Sequence, residues 1–152
     1  MKAVLQIVSN ASVFADGEFS GSINKGLHIL LGIEADDTPL DAELLCEKIS
    51  KLRIFEDENG KMNLSVMDID GEIMVVSNFT LNANYEHGNR PDYLMGAKPT
   101  LANELYECFV SLIRQKVKKV ATGKFGADMK IDMTCIGPVT IVMESSKLKK
   151  GR

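Results

Sequence analysis

Two short polar segments set into apolar sequence are the places where this chain could do chemistry. Ser77-Asn78-Phe79-Thr80 closes an apolar run with two hydroxyls and an amide, and Gly137-Pro138-Val139-Thr140 interrupts another. Polar side chains gathered where a buried strand ends are a candidate site. The same residue types also serve as ordinary turn formers. Proline cannot donate to a ladder, so Gly137-Pro138 marks a bend, an edge or an exposed loop. The chain has no G-x-x-x-x-G-K, no G-x-G-x-x-G after a strand, no H-E-x-x-H and no G-x-S-x-G, which removes the common phosphate-binding, zinc-protease and serine-hydrolase patterns. Of the two histidines, His28 alternates within an apolar strand and reads as structural. His87 could act as a base, but nothing in the sequence pairs it with a nucleophile. No His, Cys or carboxylate cluster has ligand spacing, so no metal or cofactor is expected.

The elements that must position these segments follow from periodicity and turn chemistry. Ala3–Val8 and Leu27–Ile33 read as buried strands. Ala11–Ala15 meets Glu18–Gly21 across Asp16-Gly17, a pair suited to a two-residue hairpin turn. Thr38 can cap a helix with Pro39 at its first position and Leu40, Leu44, Leu45, Ile49 and Leu52 on one face. Asn59-Gly60 marks a second hairpin, and Glu72–Ser77 is a strong strand. Residues 82–98 lack a period and hold Gly88, Pro91 and Gly96, as a functional loop would. Pro99 can open a long helix with Leu101, Leu105, Phe109, Leu112 and Ile113 buried. Two final strands, Met129–Thr134 and Val139–Met143, are expected on either side of Ile136-Gly137-Pro138. The class is α+β: a mainly antiparallel, partly barrel-like sheet packed by two helices.

At 152 residues and 45% hydrophobic content the chain can bury a core without staples. No apolar run approaches the ~20 residues that span a bilayer, and the N-terminus turns polar too early for a signal peptide. Three separated cysteines, Cys46, Cys108 and Cys135, fit a reducing cytoplasm better than a disulfide framework. The net charge is −3, with four of the positive charges on residues 145–152, so residues 1–144 carry −7. A single domain over 1–144 with a basic tail at 145–152 is expected. A run of Arg114, Lys116, Lys118, Lys119, Lys124 and Lys130 against Asp128 alone reads either as a polyanion-binding patch or as a solvated helix end.

Seven segments, in order, resemble the D-aminoacyl-tRNA deacylases. They are Ala11-Ser12-Val13, Arg53-Ile54-Phe55, Gly60–Leu64, Ser77–Leu81, Gly88-Asn89-Arg90-Pro91, Thr122–Met129 and Gly137–Thr140, spanning residues 1–144. The resemblance implies a homodimer that hydrolyses the ester of mischarged D-aminoacyl-tRNA, and glycyl-tRNA beside it, with the active site at the subunit interface. Ser77, Asn78, Phe79 and Thr80 would be the catalytic segment, supplying backbone donors to the oxyanion. Thr80 as a nucleophile would need a base that the sequence does not place nearby. Gly137, Pro138, Val139 and Thr140 would bind substrate from the partner subunit, rejecting L side chains by clash.

Three positions depart from the family's pattern. Ile7 replaces an arginine that braces the Gly-Pro loop, Asn78 replaces a glutamine, and Cys135-Ile136 replaces an Asn-Asp pair. Losing a five-donor guanidinium removes a polar brace, which predicts an altered substrate gate and a trans Gly137–Pro138 peptide. Two other readings compete. One is a non-catalytic tRNA- or ligand-binding dimer that keeps the fold. The other uses Cys135 as nucleophile with His87 as base.

Overall fold

β1 (Lys2–Ala15) is the strand on which the rest is organised. In the computed structural model, which describes residues 1–149, its fourteen residues run without interruption where the sequence reads as two shorter strands. One edge of β1 is shared by β2 (Glu18–Ile23) and β3 (Gly26–Gly32), and the other is occupied throughout by β8 (Met129–Glu144), all antiparallel. β3 continues in parallel to β6 (Glu72–Ser77), and β6 in parallel to β7 (Val120–Thr122). The sheet then curls back: the Ser20 hydroxyl donates to the Thr122 carbonyl at 2.8 Å, bringing β7 against β2. The result is a nearly closed barrel, with β8 left as an outer edge. A small hairpin, β4 (Phe55–Glu56) and β5 (Met62–Leu64), carries the Asn59-Gly60 turn.

Two helices cover one face of the sheet, as the periodicity predicts. α1 (Pro39–Ser50) starts at Thr38, where Asp41 closes a capping box by accepting the Thr38 N–H at 2.9 Å. α2 (Pro99–Arg114) buries Leu105, Tyr106, Phe109 and Ile113 against Leu5, Ile29, Ile73 and Val75 of the sheet. Each large side chain so buried is worth about 1.5–3 kcal/mol. The Tyr106 hydroxyl donates to the Val75 carbonyl at 2.9 Å and fixes α2 over β6. A second apolar cluster of Val8, Ala11, Val13, Ile23, Met74 and Val76 fills the barrel.

A third, short helix was not expected. α3 (Ser145–Lys149) takes up the first five residues of the basic segment and docks on the start of α1. Ser145 Oγ donates to Asp41 at 2.6 Å, Lys149 pairs with Asp41 at 2.7 Å, and the Met1 ammonium reaches Glu34 at 2.9 Å and Ser145 at 3.0 Å. Burial would raise the Asp41 carboxyl, but hydrogen bonds from Lys149, Ser145 and Thr38 hold it well below the usual range. Lys150 and Arg152 of the expected tail lie outside the described residues. Among the described residues no helix is long and apolar enough to cross a membrane.

Candidate active site

The Ser77–Thr80 segment sits where β6 ends. Asn78 N–H donates to the Leu31 carbonyl at 2.8 Å, carrying the β3 ladder one residue past the strand. The chain then turns into a 3-10 helix, Phe79–Asn82. Gly32 makes this approach possible, because a Cβ there would lie 3.0 Å from Leu81 Cβ and 3.1 Å from the Asn78 carbonyl. Asn78 is the N-cap, and its Oδ1 accepts from both Thr80 N–H at 3.2 Å and Thr80 Oγ at 2.5 Å. The shorter amide is therefore suited to its position, since Asn caps a turn through its own backbone better than a longer side chain does. Asn82, buried, donates to the Ile33 carbonyl at 2.7 Å and pins the far end of the turn.

These bonds leave Phe79 N–H, among the described residues, without an acceptor at the head of the turn. Phe79 lines a cavity of about 340 Å³, whose walls are Ser77, Asn78 and Phe79 from the end of β6 and Phe125, Gly126 and Ala127 from the segment after β7. Leu30, Val76, Met129 and Ile131 form the apolar remainder. An orphan donor beside a largely apolar cavity can stabilise a carbonyl oxygen that gains charge. Sequence reasoning selected the first wall as site residues and missed the second. The Thr122–Met129 segment was the only signal for it, and only as part of the family resemblance.

Gly137 and Pro138 do not reach this cavity from within the same chain. Both are exposed on β8, and Gly137 instead lines a separate pocket with Ile7, Ile136 and Val139. Pairing of β8 with β1 is registered at Gln6↔Thr140 and again at Val8↔Cys135. Residues 136–139 are thus looped out opposite Ile7 alone, in a wide bulge. Gly137 has φ +115°, a conformation that glycine adopts without penalty. The Gly137–Pro138 peptide is cis, which corrects the trans expectation. In the arginine's place Ile7 is buried in the main core, Val139 packs on that core from the bulge, and the two line the pocket at Gly137.

The remaining candidates separate clearly. His28 is buried with neither ring nitrogen hydrogen-bonded, and burial pushes its pKa down to about 4. Cys135 is exposed and its Sγ accepts from Gln6 Nε2 at 3.7 Å. No hydrogen bond among the described residues joins Cys135 to His87. Four of the six residues of the basic run are paired: Lys116 with Glu47 at 2.9 Å, Lys118 with Asp70 at 2.7 Å, Lys119 with Glu72 at 3.2 Å and Lys130 with Asp132 at 3.4 Å. Among the described residues no three His, Cys, Asp or Glu side chains gather as a metal site.

Comparison with known proteins gives the family and the fold. The family model described as D-Tyr-tRNA(Tyr) deacylase matches residues 4–144. A D-aminoacyl-tRNA deacylase of Thermotoga petrophila is 51% identical over 148 residues, covering 97% of this chain and 99% of its own. One from Flavobacterium johnsoniae is 53% identical over 146 residues, covering 95% and 97%. Among solved structures, a c-Myc DNA unwinding element binding protein superposes with a TM-score of 0.89 at 41% identity, over 95% of this chain and 98% of the other. A structure titled as a probable eukaryotic D-amino acid tRNA deacylase has a TM-score of 0.80 at 14% identity, over 94% and 98%, and shares the fold. The chain belongs to the D-Tyr-tRNA(Tyr) deacylase family.

Proposed function

We propose that this protein hydrolyses the ester linking a D-amino acid, or glycine, to the terminal ribose of tRNA, and does so as a homodimer with shared active sites. The observation that carries the reading is the separation of the two segments. The cavity at Ser77–Phe79 is open and has no side-chain selector of its own, while Gly137-Pro138 is presented outward on an exposed edge strand. A second copy of the chain supplies what each cavity lacks. Ile136 and Val142 are exposed on the same strand and give that contact apolar surface.

Within each site, water attacks the ester carbonyl carbon and the carbonyl oxygen becomes an oxyanion, which Phe79 N–H receives. One such donor is worth ~3–4 kcal/mol of transition-state stabilisation. The C–O bond to the ribose then breaks, its electron pair and the water's proton go to the ribose oxygen, and free amino acid and tRNA leave. Asn78 holds Thr80 and the turn in place, so the Thr80 hydroxyl is a donor to Asn78 rather than a nucleophile. The partner's main chain at 137–138 excludes L side chains by clash, which lets one site accept many D side chains. A tRNA substrate is met in the cytoplasm.

Mixed dimers test the shared site. Pro138→Ala, with an intact 77–80 segment, should hydrolyse D- and L-aminoacyl-tRNA alike, and Asn78→Ala should be slower by about tenfold or more. When the two are mixed and exchanged, active cavities of the first face intact gates of the second, and D-over-L preference should return. Preference that stays lost after exchange would place the gate and cavity in one chain, contrary to the proposal.

A further inference from the structure

We infer that Phe79, Tyr93 and Tyr85 form a stacking platform for the unpaired nucleotides that precede the terminal adenosine of the substrate. This inference rests on the aminoacyl-tRNA reading above and adds a binding site to it. Phe79 lines the catalytic cavity yet is 65% exposed, so its ring is also the cavity's lip. Tyr93 packs on it edge to face, with centroids 5.0 Å apart and an interplanar angle of 73°. The 3-10 helix that starts at Phe79 ends at Asn82, three residues and about 6 Å on at the ~2.0 Å rise of such a turn. There a second, open cavity of about 410 Å³ begins, lined by Asn82, Asn84, Tyr85 and Met95 and, at its charged side, by Lys2, Glu34 and Glu86.

The loop between these cavities is built to hold its rings outward. Asn84 and Asp92 exchange both backbone hydrogen bonds, at 2.8 and 2.9 Å. Each bridge residue then turns the chain through its own side chain, Asn84 Oδ1 accepting from Glu86 N–H and Asp92 Oδ1 from Leu94 N–H, both at 3.1 Å, so Tyr85 and Tyr93 sit at the centres of two such turns. Tyr85 is 77% and Leu94 85% exposed, more apolar area than a loop held only by packing would leave in water. The occupant is fixed by continuity with the catalytic cavity. A ribose whose ester lies at Phe79 N–H is attached to a strand that must leave past the Phe79 ring. Single-stranded RNA is held by aromatic faces under its bases and cations near its phosphates. Arg90 and Lys98 of the same loop are in no ion pair among the described residues.

The test compares D-aminoacyl-tRNA with 3′-O-(D-aminoacyl)adenosine, which has the ester and the terminal nucleoside but nothing before them. Tyr93→Ala and Tyr85→Ala should each lose roughly ten- to a hundredfold in kcat/KM on the tRNA substrate, mainly through KM. Both should stay within about threefold of wild type on the adenosine ester, and Tyr93→Phe should retain both activities. Equal losses on the two substrates would reduce Tyr93 to a support for Phe79 and overturn the platform, as would unchanged activity on both. A dimer weakened by Tyr85→Ala in sedimentation would assign the surface to the second subunit instead, also overturning it. Wild-type protein inactive on both substrates would instead remove the deacylase reading and the platform with it.

Discussion

Asn78 carries more of the proposed active site than the hydroxyls around it. Its one amide oxygen takes both donors of Thr80 and so fixes the turn that leaves Phe79 N–H free. Asn78→Ala removes a cap worth about 1 kcal/mol locally and should lower kcat by ~10-fold or more, with little change in the melting point. Thr80→Val keeps the backbone and should cost less than about tenfold. A Thr80→Val loss as large as that of a deleted nucleophile, ~10³-fold or more, would reinstate the hydroxyl as the attacking group. His28 contributes to stability rather than to chemistry. Its imidazole takes a proton near 6.5 when unfolded and near 4 when folded, so the unfolded chain binds the extra proton between those values. Stability is therefore full above the unfolded pKa and falls as pH drops toward 4, by about 2 kcal/mol between pH 7.5 and pH 5 from this group. Urea unfolding of His28→Leu at the two pH values should show that part of the slope removed. An unchanged slope would mean that His28 already has a polar partner. Ser77–Thr80 was legible because polar residues at a strand end are conspicuous. The facing wall, Phe125 to Ile131, was not, because its apolar and small residues look like any other strand approach until the fold brings them across.

The bulge on β8 is the element that holds the proposed gate. Read along the sequence, Gly137-Pro138 breaks a strand in two, since proline stops a ladder. In the fold, residues 136–139 loop out against Ile7 and the pairing with β1 resumes at Thr140. The family resemblance led us to expect that losing an arginine at position 7 would loosen this region. The buried Ile7 and the inward-packed Val139 instead make the brace apolar. Ile7→Ala should cost about 2–5 kcal/mol and reduce D-over-L discrimination, whereas Ile7→Val should cost only about 0.5–1.5 kcal/mol and keep it. Chiral preference unaffected by Ile7→Ala, in protein shown to remain folded, would mean that the bulge is held from elsewhere. α1, α2 and β6 were placed correctly from spacing and caps, but not every side chain of the expected stripe on α1 is buried: Leu40 is exposed and Leu52 lies beyond the end of the helix. α3 was not, because a short lysine-rich segment gains its helix only from Asp41 and Met1, both distant in sequence.

At the size of the whole molecule, the acidic body and the paired lysines argue against broad electrostatic attachment to RNA. Lys116, Lys118 and Lys119 are already matched by Glu47, Asp70 and Glu72, so the proposed recognition rests on the cavity, its aromatic lip and a second copy of the chain. On the proposed reading, a barrel with a long exposed edge strand that presents Gly137-Pro138 outward is completed as an enzyme by a second copy of the chain. The measurement to make is deacylation of matched D- and L-aminoacyl-tRNA, with glycyl-tRNA beside them, by the purified wild-type protein. Rapid loss of the D and glycyl esters with the L ester spared is the predicted result. Equal loss of D and L would contradict an intact gate braced by Ile7, and no loss of any ester would contradict the assignment of ester hydrolysis to the Phe79 cavity.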